Sequence, residues 1–438
     1  MSEASSVPVG STGDRPPRSL RSLLATTEID TRLLGMIAAF AIISVGFNIL
    51  SGGDFLTTRN LWNLTVQSAS VAIMATGMVL IIVSRNIDLS VGSVLGFTGM
   101  AMALLQAEWI PKTLGLGLEQ PYTWIVALIV GVALGALIGA FHGFIIAYIG
   151  VPSFIVTLGG LLVWRGLAFQ LASGRTIAPM DPTFALLGGG PRGSIGEVAS
   201  WVIGGLACAG IAYTLIAGRR RRRRFGFPVR PMWAEAALGL IAGAAVLGAV
   251  WITNNYFWPE ALARDYADAN GIVWPDGGLI IPVGIAIPVL IGIGVAIVMT
   301  FLATRRRFGR YVYAIGGNPE AAILGGINTR RTIMGTFVLM GMLAALSGAV
   351  QIARLNAGVV SLGTAAELSV IAAEVIGGTS FAGGIGTIPG AVLGAVVMQS
   401  LVSGMVLLKV DSPVQDIVVG IVLVAAVGAD SWLRRKAT

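Results

Sequence analysis

The chain offers little to nucleophilic, redox or metal chemistry. It holds one histidine, His142, one cysteine, Cys208, and no clustered ligand set resembling a metal site. No G-x-x-x-x-G-K-[ST] loop is present to hold nucleotide phosphates, so any ATP the protein uses must be bound by another polypeptide. What stands out instead is polarity set inside apolar sequence. One interruption is the run Ser84, Arg85, Asn86, Ile87, Asp88, Leu89, Ser90, Val91, Gly92, Ser93; a second follows Glu374, with Gly377, Gly378, Thr379, Ser380, Gly383, Gly384, Ile385, Gly386 and Thr387. A broken helix exposes helix ends and backbone groups toward a cavity, which is how polar sites are placed at membrane depth. The local alternative, compatible with it, is that Asp88 or Ser90 caps the following helix. Arg165 and Glu374 are isolated charges within apolar blocks; such charges face a pathway or pair with each other. His142 reads first as a polar residue bonded to a neighbouring helix.

The elements that must position these residues are membrane helices. Hydrophobic residues make up 55% of the 438 and charged ones only 11%, against roughly 25% charged in a soluble domain. The apolar residues gather into blocks long enough for a helix to cross ~30 Å of hydrocarbon. Twelve passes are predicted: 33 to 50, 61 to 83, 91 to 107, 123 to 149, 153 to 172, 199 to 217, 233 to 252, 280 to 302, 332 to 352, 366 to 380, 389 to 408 and 413 to 428. The fold class is therefore all-α, a polytopic transmembrane bundle with broken helices. The five glycines within 377 to 386 favour a re-entrant or unwound segment over a straight helix there. Gly131, Gly135, Gly139 and Gly143, spaced by four, predict a face for close helix approach. The Ser/Pro/Arg-rich residues 1 to 30 are expected to form a disordered tail, with the first span retained as an anchor.

Of the 29 Lys and Arg, 21 fall in connections on the side holding both termini and 7 on the other, with Arg165 inside a span. The positive-inside rule makes both termini cytoplasmic. The Arg219 to Arg224 run, the stretch from Arg305 to Arg331, and Arg434, Arg435 and Lys436 agree in phase. A net charge of +8 would suit nucleic acid, but the basic residues sit beside spans, where anionic lipid headgroups attract them. The loop from Thr253 to Gly278 is acidic, which suits an external loop, and Trp109, Trp124, Trp201 and Trp251 fall near span ends. Within the cytoplasmic segment from Thr304 to Arg331, Asn318 is a plausible N-cap, Pro319 fits the first helical position and Glu320 favours the positive end of the dipole. A short helix should start at Pro319 and stop by Gly325 and Gly326, presenting Ala321, Ala322, Ile323 and Leu324 to a partner's groove.

Three segments carry a family resemblance: Asn86 to Gly92, Val151 to Gly159, and Gly316 to Ala322 with Gly326. They resemble the permeases of bacterial sugar importers of the ribose and xylose type, driven by a separate ATP-binding-cassette protein. The resemblance implies two permease chains, two ATPase domains, an external binding protein that delivers the sugar, and alternating access, with no cofactor on this chain. It makes Asn318, Pro319, Glu320, Ala321, Ala322 and Gly326 the ATPase-coupling residues. Asn86, Asp88, Ser90, Thr157 and Thr379, with the charges Arg165 and Glu374, are the pathway candidates. Ile385 stands where relatives commonly have Arg. Spans 199 to 252 look like a pair added to a ten-span core, as in the longer xylose-type permeases, so xylose is the first cargo expected; another sugar or a nucleoside stays open. A gradient-driven secondary transporter would also need broken helices, but it lacks paired intramembrane carboxylates beyond Glu367, Glu374 and Asp416. A membrane-embedded transferase would need carboxylate-rich cytoplasmic loops for Mg²⁺, and these loops are basic.

Overall fold

A computed structural model describes residues 31–115 and 120–435; the expected tail, residues 1 to 30, lies outside the described residues. The described chain is helical, with a few isolated bridges. In order come α1 (Thr31–Leu50), α2 (Thr58–Val83), α3 (Val91–Leu104), a π-turn into α4 (Ile110–Leu114), α5 (Thr123–Phe144), α6 (Ser153–Ala172) and the short α7 (Pro182–Ala185). There follow α8 (Gly196–Arg224), α9 (Met232–Asn254), α10 (Glu260–Ala269), α11 (Ile287–Arg305), α12 (Arg307–Gly317) and α13 (Pro319–Leu324). The last four are α14 (Thr329–Leu355), α15 (Ala366–Ile376), α16 (Ile388–Leu407) and α17 (Ser412–Arg435). Ten of the predicted passes are helices long and apolar enough to cross a bilayer. In the pass at 280 to 302 the helix starts only at Ile287, because residues 282 to 286 bridge to Phe257 and to residues 194 to 196.

The pass at 366 to 380 is corrected more substantially. α15 has 11 residues, about 16 Å of helix, roughly half the hydrocarbon layer. The rest of that crossing is non-helical: a Cβ on Gly358 would touch Ala103 of α3, and one on Gly363 would strike the Gly92 carbonyl. Residues 358 to 365 thus run down α3 in irregular backbone shielded by protein, the condition under which lipid tolerates it.

α2 is the axis of the bundle, 89% buried along its apolar window, and α11, α14, α15 and α16 pack around it. The glycine face of α5 permits the close helix approach expected of it. A Cβ at Gly135 or Gly139 would strike the Gly341 or Phe337 carbonyl of α14, and one at Gly143 would come 2.8 Å from the Met334 Cα. Gly131 instead makes room for Met102 of α3. The pair α8 and α9 lies apart, with only 6% and 11% of the apolar windows buried, and its members pack chiefly on each other. Gly204 meets Val250 there, and Arg219 pairs with Glu235 at 2.7 Å. The acidic loop folds into α10, which buries Ala263 and Ala267 and places Arg264 over the Trp274 ring.

Candidate coupling and translocation site

The short helix α13 forms where its capping residues direct. Asn318 Oδ1 accepts from the Ala321 amide at 3.0 Å, Pro319 occupies the first turn, and Gly326 at φ +78 ends the element. Glu320, Ala321, Ile323 and Leu324 are exposed, Leu324 at 89%, so the apolar tip of the helix projects away from the body. Ala322 departs from expectation: it is buried against the body, so it holds the helix down and the exposed face is carried by Ile323 and Leu324.

The base of this elbow is fastened to the end of α2 by Arg85, a residue that sequence reasoning did not single out. Its Nε donates to the Gly316 carbonyl at 2.7 Å and its Nη2 to the Gly317 carbonyl at 3.0 Å, the last carbonyls of α12. A cation there also complements the helix dipole. Arg85 adopts φ 64, a left-handed backbone conformation uncommon for a side-chain-bearing residue. Gly316 is packed so tightly that a Cβ would overlap the Val83 carbonyl, which itself accepts from the Gly384 amide at 3.0 Å. The Tyr313 hydroxyl donates to the Gly386 carbonyl at 2.7 Å, and burial together with the nearby Glu374 charge pushes this phenol up to about 12. One junction therefore ties α12 and α13, the end of α2, and the glycine loop. Ile385 is half-exposed beside it.

The break at Asn86 to Ser90 follows directly. Asn86 Nδ2 bonds the Ser84 carbonyl at 3.0 Å, while Ser153 and Thr157 of α6 hold Ile87. Ile87 donates its amide to Ser153 Oγ at 3.3 Å and accepts at its carbonyl from Thr157 Oγ1 at 3.2 Å. Asp88 Oδ1 accepts from the Ser90 amide at 2.8 Å and the Ser90 hydroxyl at 2.6 Å; it closes the turn without capping the inner amides of α3, and the Ser90 side chain makes no capping bond. The Ser90 hydroxyl also lies 3.3 Å from His142 Nδ1, and Trp164 Nε1 donates to His142 Nε2 at 2.9 Å. An indole N–H can only donate. Nε2 is therefore the acceptor, the imidazole is neutral with its proton on Nδ1, and the bonds run in one direction from Trp164 through His142 and Ser90 to Asp88. Gly160 leaves the space for the ring. The hollow beside Asp88 and His142 is only about 10 Å³.

The candidate charges do not meet each other. Glu374 is fully buried, accepts from Thr379 Oγ1 at 2.8 Å, and leaves Oε1 without a partner among the described residues. Arg165 reaches the Gly363 carbonyl at 3.4 Å and interacts electrostatically with Glu367, whose Oε2 is also unpartnered among the described residues. The structure thus joins Asn86, Asp88, Ser90 and Thr157 into one turn, places Glu374 and Thr379 next to the glycine loop, and sets Arg165 apart by Glu367.

The chain that folds into this helical core, crossed by broken segments and carrying a projecting short helix locked to both, has relatives in sequence. The family described as branched-chain amino acid transport system, permease component, matches residues 60–185 and 202–427. The chain belongs to this permease family. Among its relatives, the xylose transport system permease protein XylH of Escherichia coli (strain K12) is 37% identical over 409 residues, 93% of this chain and 94% of the relative. The XylH protein of Haemophilus influenzae is 36% identical over 409 residues, covering 93% and 98%. The ribose import permease protein RbsC of Escherichia coli (strain K12) is 30% identical over 399 residues, covering 91% and 92%. No solved structure matches the chain. As a family permease with ten helices among the described residues long and apolar enough to span, it is a multi-pass inner-membrane transport subunit.

Proposed function

We propose that this permease is the membrane subunit of an ATP-driven importer that carries a monosaccharide, D-xylose in the first place. The observation that carries the cargo is the 37% identity to a xylose permease along 93% of the chain. The family description names amino acids, whereas the three relatives named above, each covered over more than nine tenths of its length, are by name xylose and ribose permeases. An ATP-binding-cassette subunit grips α13 through Glu320, Ala321, Ile323 and Leu324, with Asn318, Pro319, Ala322 and Gly326 setting the shape of the helix. A binding protein delivers sugar on the opposite face, a second copy of the chain completes the pathway, and both termini face the cytoplasm. Asp88, Ser90, Thr157, Glu374 and Thr379 are buried in this conformation and Asn86 is half-buried, so these residues are packed against protein rather than lining an open solute site. Their role is the inner seam: Arg85 passes movement of α13 to α2 and the glycine loop, and the seam opens onto the pathway beside Arg165. The test is uptake of radiolabelled D-xylose into proteoliposomes holding the chain, its ATPase and a loaded binding protein. ATP-dependent uptake that unlabelled ribose or a nucleoside competes with only weakly supports the reading; uptake driven by a proton or sodium gradient without ATP overturns it.

A further inference from the structure

On the side of the bundle opposite the elbow, a recess of about 190 Å³ opens between α2, α14 and α16. It lies near the end of α14 that carries Leu355, with Gln351 about 6 Å and Gln399 of α16 about 12 Å inside their helix ends at 1.5 Å per residue. Its polar lining is Gln67, Ser70, Gln351, Arg354 and Gln399. Each amide spends one end on another helix. Gln399 Nε2 donates to Gln67 Oε1 at 2.7 Å and Gln351 Nε2 to Ser70 Oγ at 2.8 Å. Ser70 and Ser347 lie 2.6 Å apart, and Ser347 donates to the Ser70 carbonyl at 3.0 Å, so the Ser70 proton goes to Ser347 and Ser70 must accept from Gln351. That fixes the Gln351 amide with its oxygen free. Flipping Gln67 and Gln399 together still leaves one free donor and one free acceptor.

Four hydrogen-bonding ends thus have no partner among the described residues: an acceptor on Gln351, a donor and an acceptor on the Gln67 and Gln399 pair, and the Arg354 guanidinium. Hydrogen bonds between membrane helices account for one end of each amide, and the remaining ends face the recess. Lipid would not stabilise these ends, so the recess is aqueous. A sugar hydroxyl needs both a donor and an acceptor, and the apolar floor of Val66, Val71 and Val350 suits the C–H face of a ring.

We infer that Gln67, Gln351, Gln399 and Arg354 form an outward-facing subsite for a neutral monosaccharide, occupied after release from the binding protein. This rests on the sugar-import reading and names where the cargo first touches the permease. The test uses the assembled importer in proteoliposomes with D-xylose, read by saturation-transfer NMR without nucleotide and by uptake with ATP. Losing one neutral hydrogen bond, ~1 kcal/mol, corresponds to about fivefold in affinity. Gln351→Leu and Gln399→Leu are each expected to weaken the NMR signal and raise the uptake KM by about that factor, with the amount of assembled importer in the vesicles unchanged and only a small drop in thermal midpoint from the lost inter-helix hydrogen bond. Should one variant fail to fold, the other carries the test. Signals and KM unchanged in both variants overturn the subsite while leaving the importer standing; a stronger signal from the sugar acid xylonate than from xylose overturns its assignment to a neutral sugar. If wild type takes up no sugar at all, the failure lies in the import reading.

Discussion

The turn at Asn86 to Ser90 and the recess around Gln351 are both polar features buried within apolar helices, yet one is closed and the other half open. Around the turn, Trp164, His142, Ser90 and Asp88 consume each other's hydrogen bonds in one direction, with a hollow of only about 10 Å³ beside them. In the recess, each amide uses one end and turns the other into about 190 Å³ of open space. A closed network fixes backbone and a half-used one waits for a ligand, so substitutions in the two should separate stability from cargo handling.

The largest effect is expected at the Arg85 junction proposed to couple α13 to the bundle. Arg85→Ala removes two hydrogen bonds from a charged donor to the Gly316 and Gly317 carbonyls, ~1.5 to 3 kcal/mol each. ATP-dependent uptake is expected to fall more than tenfold while the chain stays in the membrane, as checked by uptake and quantitative immunoblotting of the same vesicles. Next in size, Gly139→Leu drives a side chain into the Phe337 carbonyl; the expected outcome is loss of folded protein in detergent chromatography, since α5 cannot stay at its distance from α14. Ser90→Ala opens the closed network, leaving the His142 Nδ1 proton and Asp88 short of a partner. A loss of about 1 to 3 kcal/mol should appear as a lower thermal midpoint, larger than that of Gln351→Leu, and equal midpoints for the two variants would break the comparison. The smallest effect is a pH dependence at Tyr313. Its pKa is raised from 10.0 to about 12, so the neutral phenol is favoured by folding; that stability is fully present below about pH 10 and declines as pH rises toward 12. Tyr313→Phe should flatten the thermal midpoint across that window.

The spans, the glycine face of α5 and the helix at Pro319 were legible in the sequence because each is set by local pattern: apolar length, four-residue spacing, an Asn-Pro start. The half-length α15 was legible only as a warning, in the glycines after Glu374, because irregular backbone at depth depends on what shields it. Arg85 and the three glutamines were not legible as sites. Arg85 finds its carbonyls 231 and 232 positions away, and Gln399 finds Gln67 across 332. One signal was present for the glutamines, polar residues inside apolar blocks, but single amides draw less notice than charges. Arg165 and Glu374 drew that notice, and they are set apart, Arg165 beside Glu367 and Glu374 beside Thr379.

The most direct measurement is ATP hydrolysis in proteoliposomes holding the chain and its ATPase, with and without sugar-loaded binding protein, for wild type and Glu320→Arg. The account predicts that the loaded binding protein stimulates hydrolysis by the wild type and that the substitution abolishes the stimulation while the permease remains in the membrane. Hydrolysis indifferent to the chain, with sugar uptake following an imposed ion gradient, would contradict it.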